Sequence, residues 1–387
     1  MTWETVPLGE LTLPVARSGP DSIAPFFTYV DLSSVDASTK RVTAPTQVAT
    51  AAAPDRARQV LRLEDVLVST VRPNLNGVAT VTAQLDRAIG STGFAVLRSR
   101  PDRLHPRYLF HWVRTSTFVE TMTRLATGAS YPAVTDAIVR SSRLPLPPLP
   151  EQRRIAAILD EADALRRRGS RSVDKIDALL SSELNAAMKG APRQHIGDSI
   201  ARISSGRSVV GAEGGSESRV LKISAVTSGK FRSQESKPLP ADYDPPLRHV
   251  VHAGDLLVSR ANTAELVGAS ALVWDEPSQQ LTLPDKLWRL ELNHSVADPI
   301  AFQAVLASPP VRMEISRRAT GSGGSMKNIS QADFLRVPIA LPSREAQRRF
   351  SHLARRMRSL RERLERRVDD LDALFASLQH RAFRGEL

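Results

Sequence analysis

An internal repeat is the feature that most constrains how this chain folds. Three segments recur at one constant offset: Gln152-Arg153-Arg154 at Gln347-Arg348-Arg349, Asp177-Ala178-Leu179 at Asp372-Ala373-Leu374, and Ala187-Met188-Lys189-Gly190 at Ala382-Phe383-Arg384-Gly385. Upstream, Asp65–Ser69 matches Asp255–Ser259 at a slightly smaller offset. Collinear matches over nearly half the chain indicate duplication. We therefore predict two tandem halves, residues 1–190 and 191–387, each a globular part followed by a helix.

Each predicted helix follows a proline-rich connector, at 144–150 and 337–342. Proline disfavours helix in the residue before it, so the connectors should be extended. Apolar residues then alternate at spacings of three and four, which is typical of a coiled-coil seam. The predicted pairing residues are Ile155, Ile158, Leu165, Ile176 and Leu179 in the first helix, and Phe350, Leu353, Met357, Leu360, Leu364, Leu371, Leu374 and Leu378 in the second.

Burial of these apolar stripes determines the expected architecture. We expect the two helices to pair as an antiparallel coiled coil; the alternative is that each packs on its own globular part. A helix of about 37 residues is roughly 55 Å long. Pairing would therefore hold two modules at a fixed separation. The modules themselves should be mixed α/β (α+β), with small mixed sheets, because short β-branched runs alternate with helical segments.

Two polar loops in each half are candidate nucleic-acid contacts. One follows a predicted strand at 60–69 and at 249–259, and the other precedes the proline-rich connector. Arginine pairs bidentately with guanine and asparagine with adenine, whereas lysine suits phosphate. The alternative is that these residues only form turns. The candidate DNA-binding residues are Arg72, Asn74, Asn76, Ser130, Tyr131, Arg260, Asn262, Thr263, Ser325, Lys327 and Asn328.

Composition narrows the class of partner. The chain of 387 residues has 53 Lys+Arg against 41 Asp+Glu, a net charge of +12. A polyanion such as DNA is the expected partner of so basic a protein. Residues 344–387 alone carry 12 basic and 7 acidic side chains, so we expect part of the second helix to face DNA or an acidic partner. The absence of cysteine, of an 18-residue apolar run and of a basic leader predicts a cytoplasmic protein without a membrane segment.

Motifs of catalysis are weak. Asp244-Pro245-Pro246-Leu247 resembles the tetrapeptide of amino-methyltransferases, but Leu247 stands where an aromatic residue stacks on the flipped base. Glu235-Ser236-Lys237 resembles the end of a metal-dependent nuclease motif and lacks a Pro-Asp partner. We therefore predict no catalytic residues, no metal and no cofactor, and consider an autonomous methyltransferase improbable.

The junction at 144–168, LPLPPLPEQRRIAAILDEADALRRR, resembles the specificity subunits of type I restriction-modification systems. The segment at 335–349 is a degraded copy of it, and 319–342 resembles the end of a target-recognition domain in that family. The resemblance implies recognition domain 1 at 1–143, connector and long helix 1 at 144–190, recognition domain 2 at 191–336, and connector and long helix 2 at 337–387.

The resemblance also implies a function. In this family each recognition domain reads one half of a bipartite, asymmetric site in double-stranded DNA. The paired helices set the length of the unread spacer and dock two methyltransferase (modification) subunits, which restriction/translocase subunits join. The specificity subunit itself is not an enzyme. The alternative is a coiled-coil DNA-binding adaptor of another defence complex, with little base reading.

Overall fold

A computed structural model describes residues 3–17, 25–209, 218–321 and 326–387. The chain divides into two compact units. Unit 1 comprises Met1–Ser172 and Leu364–Leu387, and unit 2 comprises Val173–Arg363. Each long helix therefore gives its first part to one unit and its last part to the other. The mixed α/β architecture, with small sheets and long helices, confirms the predicted fold class.

Unit 1 contains twelve strands within the described residues and the first five helices begin in it. The strands are β1 (Thr5–Pro7), β2 (Thr12–Leu13), β3 (Phe26–Val30), β4 (Val35–Asp36), β5 (Arg41–Val42), β6 (Thr46–Ala49), β7 (Ala57–Val60), β8 (Val66–Ser69), β9 (Val78–Thr80), β10 (Ile89–Ser91), β11 (Phe94–Ser99) and β12 (Arg143–Pro145). The helices are α1 (Leu8–Leu11), α2 (Pro106–Trp112), α3 (Ser116–Leu125), α4 (Asp136–Ser141) and α5 (Leu149–Met188).

The sheets of unit 1 are small and mostly antiparallel. Their orders are β6-β3-β10-β7, β2-β11-β8-β9, β1-β12 and β4-β5. Strands β3 and β10 are parallel. The predicted strand at 60–69 is two strands, because Asp65 accepts the backbone N–H of Arg62 at 2.8 Å and Glu64 takes a left-handed φ of 69°. The chain turns there and joins β7 in one sheet to β8 in another.

Unit 2 repeats this plan. Its strands are β13 (Arg193–His195), β14 (Ile200–Ser205), β15 (Arg219–Leu221), β16 (Ser236–Pro238), β17 (Leu256–Ser259), β18 (Ala261–Asn262), β19 (Ser270–Leu272), β20 (Leu281–Thr282), β21 (Leu287–Leu292), β22 (Lys327–Asn328) and β23 (Pro338–Ala340). Its helices are α6 (Pro299–Ala307), α7 (Pro309–Arg318), α8 (Gln331–Leu335) and the first part of α9 (Arg344–Ala382).

The sheets of unit 2 correspond to those of unit 1. The order β14-β21-β17-β19 matches β2-β11-β8-β9, and β13-β23 matches β1-β12. The three-stranded sheet β16-β15-β20 contains one parallel pair, as does the sheet of β3 and β10. The duplication therefore extends from short sequence motifs to strand order.

In unit 1, the first part of α5 lies antiparallel to the last part of α9. Arg166 forms an ion pair with Asp372, and Gly169 faces Val368, so partners descend on one helix as they ascend on the other. A Cβ at Gly169 would lie 2.9 Å from Val368 Cγ2. This glycine, which weakens the helix intrinsically, therefore permits close approach of the two helices.

In unit 2, the last part of α5 lies beside the first part of α9. Arg361 Nη1 is 2.8 Å from Asp177 Oδ1, and Leu184 shares a core with Phe350 and Ala354. This order of partners is again antiparallel. Each segment also packs on the globular part of its unit, since both cores contain residues from helices and sheets.

The predicted pairing residues differ in burial. Ile155, Ile176 and Phe350 are buried, whereas Leu179 and Leu374 are exposed at 42% and 48%. The others are half-buried: Ile158, Leu165, Leu353, Met357, Leu360, Leu364, Leu371 and Leu378. Phe375, one position after Leu374, is buried in the unit 1 core. Each helix contacts both a helix and a sheet domain, so a single heptad frame does not describe its buried face.

A buried glutamine ties the start of each long helix to its domain. Gln152 Nε2 donates to the carbonyl oxygens of Arg103 and Pro147 at 2.9 Å, and its Oε1 accepts the N–H of His105. Gln347 repeats this with the carbonyls of Val296 and Pro342 and the N–H of Asp298. Both copies of the repeat therefore place a glutamine amide where it satisfies buried backbone N–H and C=O groups at the connector.

Candidate nucleic-acid interface

The two predicted loops of unit 1 form one surface. Segment 70–77 follows β8, and segment 127–134 lies between α3 and α4. The N–H of Arg72 donates to the carbonyl of Pro132 at 2.7 Å, and the N–H of Val134 to that of Thr70 at 2.9 Å. Bridges join Val71 to Ala133 and Thr127 to Ala133. Loops far apart in sequence are therefore joined by a backbone ladder.

A cation–aromatic pair stands on this surface. The Arg72 guanidinium carbon lies 4.7 Å from the ring centroid of Tyr131, which is 69% exposed. Arg72 is exposed and takes a left-handed φ of 48°, which is uncommon and strained for a residue with a Cβ. Stacking restrains the guanidinium and leaves its in-plane N–H donors accessible. Such a group suits bidentate contact with a phosphate or a guanine edge.

The remaining candidates of unit 1 fall into two groups. Asn74 and Ser130 are exposed on the same surface. Asn76 is half-buried, and its amide donates to the carbonyl of Val113 at 3.1 Å while its Oδ1 accepts Lys40 Nζ at 2.8 Å. Burial, together with the nearby charges of Arg114 and Arg166, lowers the pKa of Lys40 to about 8. Asn76 and Lys40 therefore hold the loop from beneath.

Unit 2 builds the same loop pair. Strand β18 pairs with β22, so Ala261 lies opposite Asn328 and Asn262 opposite Lys327. A bridge joins Thr320 to Asn328, and the N–H of Ile329 donates to the carbonyl of Arg260. In both units a serine hydroxyl closes the turn, since Ser69 Oγ donates to the carbonyl of Val71 and Ser259 Oγ to that of Ala261.

The side chains on the second loop pair differ from those on the first. Thr263 and Asn328 are exposed, and Asn262 and Lys327 are half-buried. Arg260 is half-buried, with its guanidinium carbon 6.0 Å from the Trp288 ring centroid. Asn262 Oδ1 accepts the N–H of Thr263 at 2.9 Å. Ser325 lies outside the described residues.

The two motifs that resemble catalytic sequences, at 235–237 and 244–247, lie outside these loops and, in the described part of the chain, form no catalytic arrangement with them. Leu247 is 84% exposed in a 3-10 turn. Glu235 accepts the hydroxyl of Ser224 at 2.6 Å. Among the described residues, His, Asp and Glu form no group of three suited to a metal ion. In the same part of the chain, none of the helices combines the length and apolar character that crossing a membrane requires.

The fold and its two loop pairs define a duplicated scaffold. Comparison with known proteins identifies matches to one kind of protein. The Type I restriction modification DNA specificity domain matches residues 61–169. Over 313 residues the chain is 25% identical to the type I restriction enzyme EcoKI specificity subunit of Escherichia coli K12, covering 74% of this chain and 67% of that subunit.

Two further relatives agree. Over 126 residues the chain is 36% identical to the EcoEI specificity subunit of Escherichia coli, covering 32% of this chain and 20% of that one. A solved structure concerned with assembly and conformational transition of the type I R-M system contains a chain with 25% identity and a TM-score of 0.56, covering 100% of this chain and 98% of that one. These matches to type I restriction-modification specificity subunits confirm the resemblance seen in the sequence.

Proposed function

We propose that this chain is the DNA sequence-specificity subunit of a type I restriction-modification complex. In this role it is not an enzyme: it reads a bipartite, asymmetric site in double-stranded DNA. Methyltransferase subunits dock on the paired helices and supply the chemistry, and restriction/translocase subunits join that assembly. The likeness to specificity subunits supports the first statement, and the DNA-contacting loops are our assignment.

One observation carries the proposal that the site is bipartite and asymmetric. The same backbone ladder presents a loop pair in each unit, but with different side chains. Arg72 and Tyr131 stand on the first, and Asn262 and Lys327 on the second. Equivalent positions with different donors and acceptors would read different bases. Two unlike readers on one chain therefore suit two unlike half-sites.

Within each reader, the polar side chains suit different contacts. The stacked guanidinium of Arg72 offers parallel donors, whereas Asn74, Asn262 and Asn328 offer an amide that pairs with adenine. Lys327 offers a point charge for phosphate. Asn76 and Arg260 are more engaged within their units and would act by supporting the loops.

A methylation map of the host genome tests this function. Deleting the gene should remove methylation from one motif made of two short blocks separated by a fixed gap, while other methylated motifs persist. Re-expression of the chain should restore it. Unchanged methylation in the deletion strain, despite an expressed cognate methyltransferase, would contradict the proposal. Methylation lost at many unrelated sequences would instead favour an adaptor without base reading.

A further inference from the structure

The first part of α9 carries a continuous arginine face in unit 2. Its seven positions are spaced one, three or four residues apart, and at about 100° per residue they lie on one side of the helix. All seven are exposed: Arg348, Arg349, His352, Arg355, Arg356, Ser359 and Arg363. The opposite side is buried, with Phe350 and Ala354 in the core. We refer to these seven residues as the arginine face.

Most of this positive charge has no counter-charge in the part of the chain that the structure describes. Arg349 pairs with Glu345. Among the described residues, the side chains of Arg348, Arg355, Arg356 and Arg363 form no hydrogen bond or ion pair. Other arginines of the same stretch do have acidic partners, since Arg358 pairs with Asp275 and Glu362, and Arg361 with Asp177. The unpaired charge is therefore confined to one side of the helix.

The first copy of the repeat has arginine at the positions of Arg348, Arg349 and Arg363, but it lacks the central pair of the face. In the constant-offset alignment, Arg355 and Arg356 correspond to Asp160 and Glu161 of α5. Asp160 is bound by Arg107 and His111, and Glu161 lies 3.6 Å from Arg168. A helix that serves only as a scaffold does not require arginine at positions 355 and 356, because the other copy has acidic residues there. The charge on α9 therefore calls for a ligand.

We propose that the arginine face binds the sugar-phosphate backbone of duplex DNA. This inference rests on the proposed function in that DNA is the ligand, and it adds a contact that is independent of sequence. From Arg348 to Arg363 the helix rises about 22 Å, which matches about six base pairs. Guanidinium groups bind phosphate bidentately and remain charged at any working pH.

Composition of the face favours DNA over an acidic protein as the occupant. Protein interfaces have a well-packed, largely apolar centre in which buried tryptophan, tyrosine and arginine side chains provide most of the affinity. The seven positions include no apolar residue. Protein–DNA interfaces are more polar and far more positive. The arginine face is polar and positive, as protein–DNA interfaces are, and it has no apolar centre.

The test uses the full chain in complex with its cognate methyltransferase. The variant R355Q/R356Q/R363Q is compared with R154Q/R168Q/R384Q, which removes three exposed arginines that have acidic partners. The dissociation constant is measured by fluorescence anisotropy for a cognate and a scrambled duplex at several salt concentrations. The first variant should weaken both duplexes at least tenfold and lower the slope of log K against log salt by about three. The second should leave that slope unchanged.

Two further readouts complete the design. The variant R355K/R356K/R363K keeps the charge and should retain most of the slope. The ratio of cognate to scrambled affinity should stay constant in all variants, because phosphate contacts carry no sequence information. An unchanged slope in the glutamine variant would overturn the proposal, as would loss of the methyltransferase on purification with normal DNA binding by the remaining complex. Absence of any cognate preference in the parent complex would defeat the proposed function but leave the slope result interpretable.

Discussion

The two units use one backbone plan and different side chains, and the difference is greatest at the joint between long helix and domain. In unit 1 this joint is ionic. Asp163 is 4% exposed and binds Arg114, which also stacks on Phe110 and Phe375. At the corresponding position of unit 2, Arg358 covers Trp274 and pairs with exposed acids.

The neighbouring contact differs in the same way. His111 of α2 binds Asp160 of α5 through Nε2 at 2.8 Å. When α2 and α6 are aligned from their first prolines, Arg107 and His111 correspond to Ile300 and Ala304, which pack against the apolar core of unit 2. The duplicated plan therefore tolerates exchange of a buried ionic network for apolar contacts. Backbone ties such as Gln152 and Gln347 remain in both copies.

The largest predicted effect comes from the buried ionic joint. Asp163→Ala leaves the guanidinium of Arg114 buried without its carboxylate, which should lower the free energy of unfolding by about 3–5 kcal/mol. Its counterpart Arg358→Ala disrupts a more exposed pair and should cost about 1 kcal/mol or less. Urea unfolding followed by circular dichroism measures both. Equal effects would show that the two joints are energetically alike.

The second prediction concerns acid. The pKa of His111 is lowered from 6.5 to about 4, mainly because the imidazole is buried; the charges of Arg114 and Arg107 add to this shift and the hydrogen bond to Asp160 opposes it. Between about pH 6.5 and pH 4 the unfolded chain therefore binds a proton that the folded chain does not. Stability should fall by at most about 3 kcal/mol as pH drops through that window.

The control for this step is His111→Gln, which keeps an N–H donor for Asp160 but does not titrate. Melting temperatures across the same pH window should fall less steeply in the variant than in the parent chain. Identical profiles would mean that other groups account for the acid sensitivity of unit 1.

A third prediction separates the two readers. Arg72→Ala removes the stacked guanidinium and should cost about 1–3 kcal/mol, or roughly 5- to 150-fold in affinity, for duplexes with the intact first half-site. Lys327→Ala should weaken binding to all sequences more uniformly. Anisotropy titrations against single-base variants of the site distinguish the two. Uniform weakening by Arg72→Ala would reassign that residue to the backbone.

The smallest effect is expected at the helix crossing in unit 1. Gly169→Ala should gain about 1 kcal/mol of helix propensity but lose at least as much by contact with Val368. The net change should therefore be zero or destabilising, whereas Gly169→Ala with Val368→Ala should be more stable than Val368→Ala alone. Thermal unfolding measures all three variants. A stabilised single variant would mean that the helices readily move apart.

Much of this architecture follows from the sequence. The fold class and family were predicted from the repeat and from the motif at 144–168, since periodicity and proline placement are local signals. Pairing of the two loops in each unit was not predicted, because Arg72 and Pro132 meet only through the tertiary fold. The hydrogen bond between Asn76 and Lys40 was not predicted, because Lys40 lies far away in sequence, in the turn between β4 and β5.

Three other features could not be predicted from the sequence, because they also depend on tertiary contacts. The predicted strand at 60–69 breaks because a carboxylate caps a turn. Phe375, rather than Leu374, is buried because the helix has two packing partners. The sequence showed an excess of basic residues in 344–387, but only the burial pattern shows that the unpaired arginines share the exposed side of α9. Each depends on contacts between segments that local patterns do not encode.

Selection of bound duplexes from a random library, using the complex with its methyltransferase, tests the central claim most directly. The parent chain should enrich two short sequence blocks at a fixed separation. Arg72→Ala should reduce the base preference within the first block and leave that of the second unchanged. A single contiguous block, no enriched sequence, or loss of both blocks in the variant would contradict two independent readers on one duplicated chain.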